Sequence, residues 1–232
     1  MLRQLRRDPR TLALLIVVPC VLEALIKWVF EGDQQIFQRV GVPLVGIFPL
    51  VSMFLVTSIA MLRERTTGTL ERLMTMPLPK LGLLTGYGTA FGLVALVQVA
   101  VTSGVSLWLG LTVAGPIAWL LVVTLLDALL GVGLGLLASA FAKTEFQAIQ
   151  LMPVVVLPQL LLCGLFQPRD EMATVLQWLA NVMPVSYAVE ALQSVAANPA
   201  VGSEFARDLA VLAGFAAASV LAASATLRRQ TR

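Results

Sequence analysis

Residues 63–80 read RERTTGTLERLMTMPLPK, a charged stretch set between two long apolar runs, SMFLVTSIAML before it and LLTGYGTAFGLVALVQVAV after it. A connection that only reverses the chain needs a few polar residues; this one has the pattern of a helix. Gly68 can serve as an N-cap with Glu71 at the third helical position, a capping-box-like pair. Leu70, Leu73 and Met74 follow i, i+3, i+4 spacing and share a face, while Glu71 and Arg72 point elsewhere. Pro77 stops the run. The product is a short helix of about two turns, apolar on one side and charged on the other. Two readings fit these residues: a helix lying on anionic lipid, or a knob seated in a partner's groove.

Composition sets the surroundings. The chain has 232 residues, 58% hydrophobic and 12% charged, where a soluble domain has about 45–50% and about 25%. That much apolar surface exceeds what one soluble core can hide, so the chain is expected to be an integral membrane protein. RQLRRDPR before an apolar run resembles the start of a secretory signal. The run TLALLIVVPCVLEALIKWVF is longer than such an apolar region and lacks an A-x-A cleavage site, so it is expected to remain as a span. Cys20 and Cys163 fall in apolar segments without Cys-x-x-Cys spacing and read as small buried hydrophobes. Histidine is absent, which removes the commonest metal ligand and general base. No metal, cofactor or catalytic cluster is expected. A net charge of +3 with scattered basic residues does not suggest nucleic acid.

A crossing helix needs about 20 apolar residues, and six stretches qualify: 11–30, 43–62, 86–110, 117–141, 149–166 and 208–227. The fifth is short and holds Pro153 and Pro158, so a kink is expected there. Twelve Lys and Arg residues fall on one side of this arrangement, in the N-terminal tail, the 63–85 connection, at Lys143 and in the C-terminal tail. The other side has Arg39, Arg169 and Arg207, and Lys27 lies within a span. The positive-inside rule then places both termini and the 63–85 connection in the cytoplasm. On the outer side EGDQQIFQRVGV reads as a short loop. Between spans five and six, Leu176, Leu179, Ala180 and Met183 share a helical face. Pro184 breaks that run, and Tyr187, Val189 and Leu192 restart it. Two short amphipathic helices dipping into the outer leaflet are expected there.

Intramembrane charges are the next candidates. Glu23 and Lys27 are four residues apart in the favourable order; they either neutralise each other or snorkel, or they line a transport path. Asp127, within TLLDALLGVGLG, has no countercharge nearby in sequence. At that depth it could carry protons, bind a cationic substrate, pair with a cation on another helix, or sit protonated at a helix interface. The pairs Gly82/Gly86, Gly88/Gly92 and Gly131/Gly135 are expected to let helices approach closely.

FLVTSIAMLRERTTGTLERLMTMPLPKLGLLTGY resembles the segment after the second span of ABC-2-type permeases, the membrane subunits of one class of ABC exporters. LLCGLFQPRDEMATVLQWLANVMPVSYAVEAL is similar to the family's fifth span, outer re-entrant helices and Pro-x-(Ser/Thr)-Tyr element, here Pro184 and Tyr187. Nearly the whole chain is covered, and the likeness is strongest to the drug- and antibiotic-efflux branch. The resemblance implies an all-α domain over 1–232 with six spans. It implies that residues 69–75 form a coupling helix seated in a cleft of a separate cytosolic P-loop ATPase. Thr69 and the apolar Leu70, Leu73 and Met74 would be gripped beside Gly68, with Glu64, Arg65, Glu71 and Arg72 at the rim. Thr66 stands where the family commonly has an acidic residue, and the tail MLRQLRRDPR is shorter than the family's in-plane connecting helix.

The sequence contains no G-x-x-x-x-G-K-[ST] phosphate loop, so ATP is expected to be bound by the partner subunit. The resulting expectation is a dimeric permease in the cell membrane that exports a hydrophobic or amphipathic compound, a drug or antibiotic, or a lipid or glycolipid. A proton-coupled secondary transporter using Asp127 is the alternative. Such carriers often show internal repeats, and none is visible between the halves.

Overall fold

A computed structural model describes residues 9–68 and 80–226, which form α-helices and one short 3-10 turn. The helices are α1 (Pro9–Val29), α2 (Gln34–Thr66), α3 (Lys80–Trp108), α4 (Ile117–Phe141), α5 (Glu145–Leu162), α6 (Thr174–Val182), α7 (Pro184–Ala197) and α8 (Ser203–Thr226). The all-α expectation holds. Among the described residues, α2, α4, α5, α8 and the 86–108 part of α3 are long and apolar enough to cross a membrane. The 21 residues of α1 cover the first expected span as far as Val29, and the fourth expected span coincides with α4; the helix α5 begins and ends four residues before the fifth, 149–166.

The second span departs from expectation. The stretch read as the outer loop EGDQQIFQRVGV is mostly helix, because α2 begins at Gln34. Asp33 caps it, its carboxylate accepting from the Ile36 amide at 3.0 Å. The 33 residues of α2 extend about 50 Å at 1.5 Å per residue, against a hydrocarbon core of about 30 Å. The helix therefore projects beyond the bilayer. Pro153 and Pro158 both lie inside one continuous helix, α5.

α4 is the centre of the bundle, packed between α2 and α8. Glycine on two of its faces permits this. A Cβ at Gly131 would stand 2.3 Å from the Leu50 carbonyl oxygen, and one at Gly135 2.5 Å from that of Phe54, so the α4 backbone lies directly against α2. Gly133 lies on another face, where a Cβ would collide with Ser219 of α8. The expectation for the other two pairs fails where it can be read. Cβ atoms at Gly86 and Gly88 would meet nothing within 4 Å, and at Gly92 only an ordinary contact with Leu129. Gly86, Gly88 and Gly92 are not a close-packing seam among the described residues of this chain.

α1 and α3 run parallel in fixed register. Gln98 donates to the Leu15 carbonyl and Ser106 to the Glu23 carboxylate, and both pairs are 83 residues apart. All four tryptophans gather at one end of the bundle. Trp28 and Trp108 end α1 and α3, Trp178 lies on α6, and Trp119 starts α4 with its ring edge-on to Phe205 at 5.3 Å. Trp28, Trp108 and Trp178 are exposed, as expected for a belt at headgroup level. Arg63, Arg65, Lys143 and Glu145 lie at the opposite end.

Candidate functional site

Three groups of side chains could carry function: carboxyls inside the bundle, the end of α2, and a polar cluster beneath the re-entrant helices. Asp127 is the deepest. It lies near the middle of α4, is 0% exposed, and neither carboxyl oxygen has a hydrogen-bond partner. Gly46 of α2 makes room above it. A Cβ there would come within 3.3 Å of Asp127 Oδ2 and 2.7 Å of a Leu192 methyl, so α2, α4 and α7 converge on this carboxyl. No cation among the described residues pairs with it. A carboxyl so placed can hold a proton, or can await a cation that this conformation does not supply.

Glu23 and Lys27 do not pair. Glu23, 4% exposed, faces inward and accepts from Ser106 of α3, while its Oε1 is without a partner. Lys27 swings to the Trp-rich end, donating to Gln34 at 2.7 Å with its ammonium 4.6 Å from the Phe37 ring centre. The i, i+4 spacing allowed the pair. The register of α3 gave Glu23 a nearer donor, and the start of α2 gave Lys27 an acceptor and an aromatic face.

At the end of α2, Gly68 has a φ of +73° and terminates this helix. The Thr67 amide donates to the Arg63 carbonyl at 2.9 Å and the Gly68 amide to that of Arg65 at 3.3 Å. This is a left-handed stop, for which glycine is favoured; the helix expected to start after it falls on residues outside the described ones. Glu64 is 7% exposed and lies beside the Tyr87 hydroxyl, turned into the bundle instead of toward an open rim. Arg65 is half-buried. Arg63 reaches across to Glu145 at the start of α5 with two bonds, 2.6 and 3.1 Å, tying the ends of α2 and α5 together. Thr69, Leu70, Glu71, Arg72, Leu73 and Met74 lie outside the described residues.

At the Trp-rich end two short helices, α6 and α7, occupy the expected re-entrant positions. Pro184 is the first residue of α7, where its missing N–H costs nothing. The Tyr187 hydroxyl donates to the Asn181 carbonyl at 2.7 Å. Arg169 organises the rest. It forms an ion pair with Glu190 at 2.5 Å, donates to the Asn181 side chain, and stands over the Tyr187 ring at 5.5 Å. One guanidinium thus joins the turn after α5 to both re-entrant helices. Burial pushes the Glu190 carboxyl up from its ordinary range, and Arg169 opposes that shift. The sequence reading missed Arg169, Asn181 and Glu190. The signal available was the i, i+3 spacing of Tyr187 and Glu190, which puts both on one face of α7.

The mostly buried pair should matter more than a surface one. Arg169→Gln is expected to lower stability by about 1–3 kcal/mol, and to raise the Glu190 pKa further by removing its counter-cation. Hydrogen exchange over 174–197 should rise in the variant while that of α4 stays unchanged. Unaltered exchange in α6 and α7 would contradict the clamp.

Residues 1–196 match the family described as ABC-2 type transporter. The chain belongs to that family. The curated relatives of this ABC-2 chain include the probable multidrug ABC transporter permease YbhR of Escherichia coli, 29% identical over 145 residues, 62% of this chain and 39% of the relative. The linearmycin resistance permease protein LnrN of Bacillus subtilis is 26% identical over 168 residues, 72% and 43%. ABC transporter G family member 20 of Dictyostelium discoideum is 27% identical over 141 residues, 60% and 19%. The matched region thus spans less than half the length of each of these relatives. The apolar helices and the family together make this a multi-pass membrane protein with a role in membrane transport.

Proposed function

We propose that this ABC-2 chain is the membrane subunit of an ATP-driven exporter of hydrophobic or amphipathic compounds. It works as a dimer with a homologous or identical permease, and ATP is bound and hydrolysed on a separate cytosolic subunit. The observation that carries the reading is α2. This helix outruns the bilayer, stops at a left-handed glycine, and leads directly into the 69–75 segment that resembles the family's coupling helix. The same helix packs backbone to backbone on α4 and passes over Asp127 at Gly46. A push at residues 69–75 would travel along α2 as a rigid rod to the centre of the bundle. The basic end, containing Arg63 and Arg65, faces the cytoplasm in this reading, and the Trp-rich end faces out.

Drug or antibiotic export leads among cargo classes, since the relatives include a multidrug and a linearmycin resistance permease; a lipid or glycolipid is second. Joint replacement of Gly68 and Glu71 by alanine is expected to cut dye export severalfold while ATP hydrolysis by the complex and membrane insertion persist. Normal export by that double variant would sink the coupling assignment. The unpartnered Asp127 favours one further reading, a carrier driven by protons through that carboxyl.

A further inference from the structure

A cleft of about 270 Å³ opens at the Trp-rich end, lined by Gln38, Arg39, Thr112 and Gln193 over an apolar floor of Val42 and Ala196. Its walls are fixed by hydrogen bonds from three directions. Gln38 donates to the Gly110 carbonyl at 2.9 Å and accepts from the Thr112 amide at 3.1 Å, which joins α2 to the turn after α3. Gln34 reaches the same carbonyl at 2.9 Å. The turn is in turn held on α7, with the Ala114 amide on the Ala196 carbonyl at 3.0 Å and the Gly115 amide on Val195 at 2.9 Å. Gly115 is needed for that approach, since a Cβ there would lie 2.7 Å from the Val195 and Asn198 carbonyl oxygens.

These bonds also settle the electrostatics. The carbonyls at the C-terminal end of α7 would repel an anion, but those of Val195 and Ala196 already accept amides from the turn. Gln38 has its amide and its carbonyl engaged. The polar side chains left on the cleft, beside the Ala197 backbone, can all donate. Arg39 and Gln193 have no side-chain partner among the described residues, the Thr112 hydroxyl has none either, and the lining holds no carboxylate. An exposed guanidinium, a free amide and a hydroxyl around one opening suit a tetrahedral oxyanion. The apolar floor suits what a free anion lacks, carbon attached to it. Trp28 and Trp108 end α1 and α3 at this end of the bundle, which sets the opening at headgroup depth.

We propose that this cleft binds the phosphodiester of a membrane phospholipid, with Arg39 and Gln193 holding the phosphate oxygens and Val42 and Ala196 meeting the glycerol end of the lipid. The site is independent of which cargo is moved and of what drives it. Arg39 lies on the side where the chain has few basic residues, which gives its placement a specific use beyond membrane orientation.

The test counts phosphatidylglycerol retained by the purified full chain in mild detergent, by native mass spectrometry, during titration with that lipid. Arg207→Gln is the control, because Arg207 lies at the same end but is already engaged by Asp208 at 2.9 Å. Wild type and Arg207→Gln are expected to bind alike, Arg39→Gln about tenfold more weakly, and Gln193→Ala by a smaller factor. Diacylglycerol of the same chain length, which lacks the phosphate, should fail to compete. Unchanged binding by Arg39→Gln, or equal competition by diacylglycerol, would overturn the site. Inorganic phosphate is the remaining arm. Displacement of the lipid by an equal concentration of phosphate would make this a site for the free anion and remove the lipid assignment.

Discussion

Gly131→Leu is expected to insert in the membrane and fail to form the bundle. The first atom added is enough, since a Cβ at 131 would stand 2.3 Å from the Leu50 carbonyl oxygen and 3.0 Å from its Cα and carbonyl carbon. These are backbone atoms of a helix, with no flexible tip that can turn away. Relief requires α2 and α4 to separate, and separation at Gly131 also opens the contact at Gly135, 2.5 Å from Phe54 on the same measure. Overpacking in a core costs about 1–3 kcal/mol when side chains can yield; here the largest seam of the bundle must part, and the cost should exceed that range. Gly88→Leu is the matched control, because a Cβ at 88 meets nothing within 4 Å. Size-exclusion profiles and thermal unfolding in detergent should show Gly88→Leu close to wild type and Gly131→Leu aggregated. Similar profiles for the two variants would contradict the packing described for α4.

Asp127→Asn is expected to do the reverse, leaving the fold intact and lowering transport more than tenfold. The amide has the shape of the carboxyl, so the space beneath Gly46 stays filled. Neither group has a partner there, so the polar cost of burial is similar in both. What the substitution removes is the capacity to gain or lose a charge. A group with that capacity, buried at mid-bundle without a structural partner, is a functional residue by default in a membrane protein. Thermal unfolding within about 0.5 kcal/mol of wild type, together with lost dye export, is the expected pair of results. Export at the wild-type rate would reduce Asp127 to an interface residue. Collapsing the proton gradient with ATP present then separates the two readings. Continued export assigns the carboxyl to cargo or to a second conformation of an ATP-driven cycle, and arrested export assigns it to proton coupling.

Span placement was legible because it depends on a property read residue by residue, transfer of apolar side chains out of water. The fourth span fell on α4, and the two short helices α6 and α7 were found from apolar spacing interrupted at Pro184. The start of α2 was not legible for the same reason. Gln34, Gln35, Gln38 and Arg39 are polar because that part of the helix stands outside the hydrocarbon, where hydropathy no longer reports helix. Gln34 and Gln38 make their contacts with Gly110 and Thr112, more than 70 residues away. Glu23 and Lys27 show the limit of local rules. Spacing on one helix said they could meet, and the neighbouring helices decided otherwise. Gly68 was singled out as the start of the following helix, and the described residues show it as the stop of α2. Glycine serves both termini, and the stop shows in its positive φ. Arg169 carried no periodic signal at all, since its partners Asn181 and Glu190 come from two different helices after a turn.

ATP-driven export needs a partner that carries the phosphate loop, so the decisive measurement is purification of the tagged chain from its native membranes in mild detergent, with the co-purifying proteins identified. A stoichiometric cytosolic protein with a G-x-x-x-x-G-K-[ST] loop is expected, lost when Glu71 and Leu73 are replaced by alanine and retained in Asp127→Asn. A chain that purifies without any such protein across several detergents would contradict it, return residues 63–80 to the lipid surface, and leave Asp127 as the centre of a carrier driven by something other than ATP.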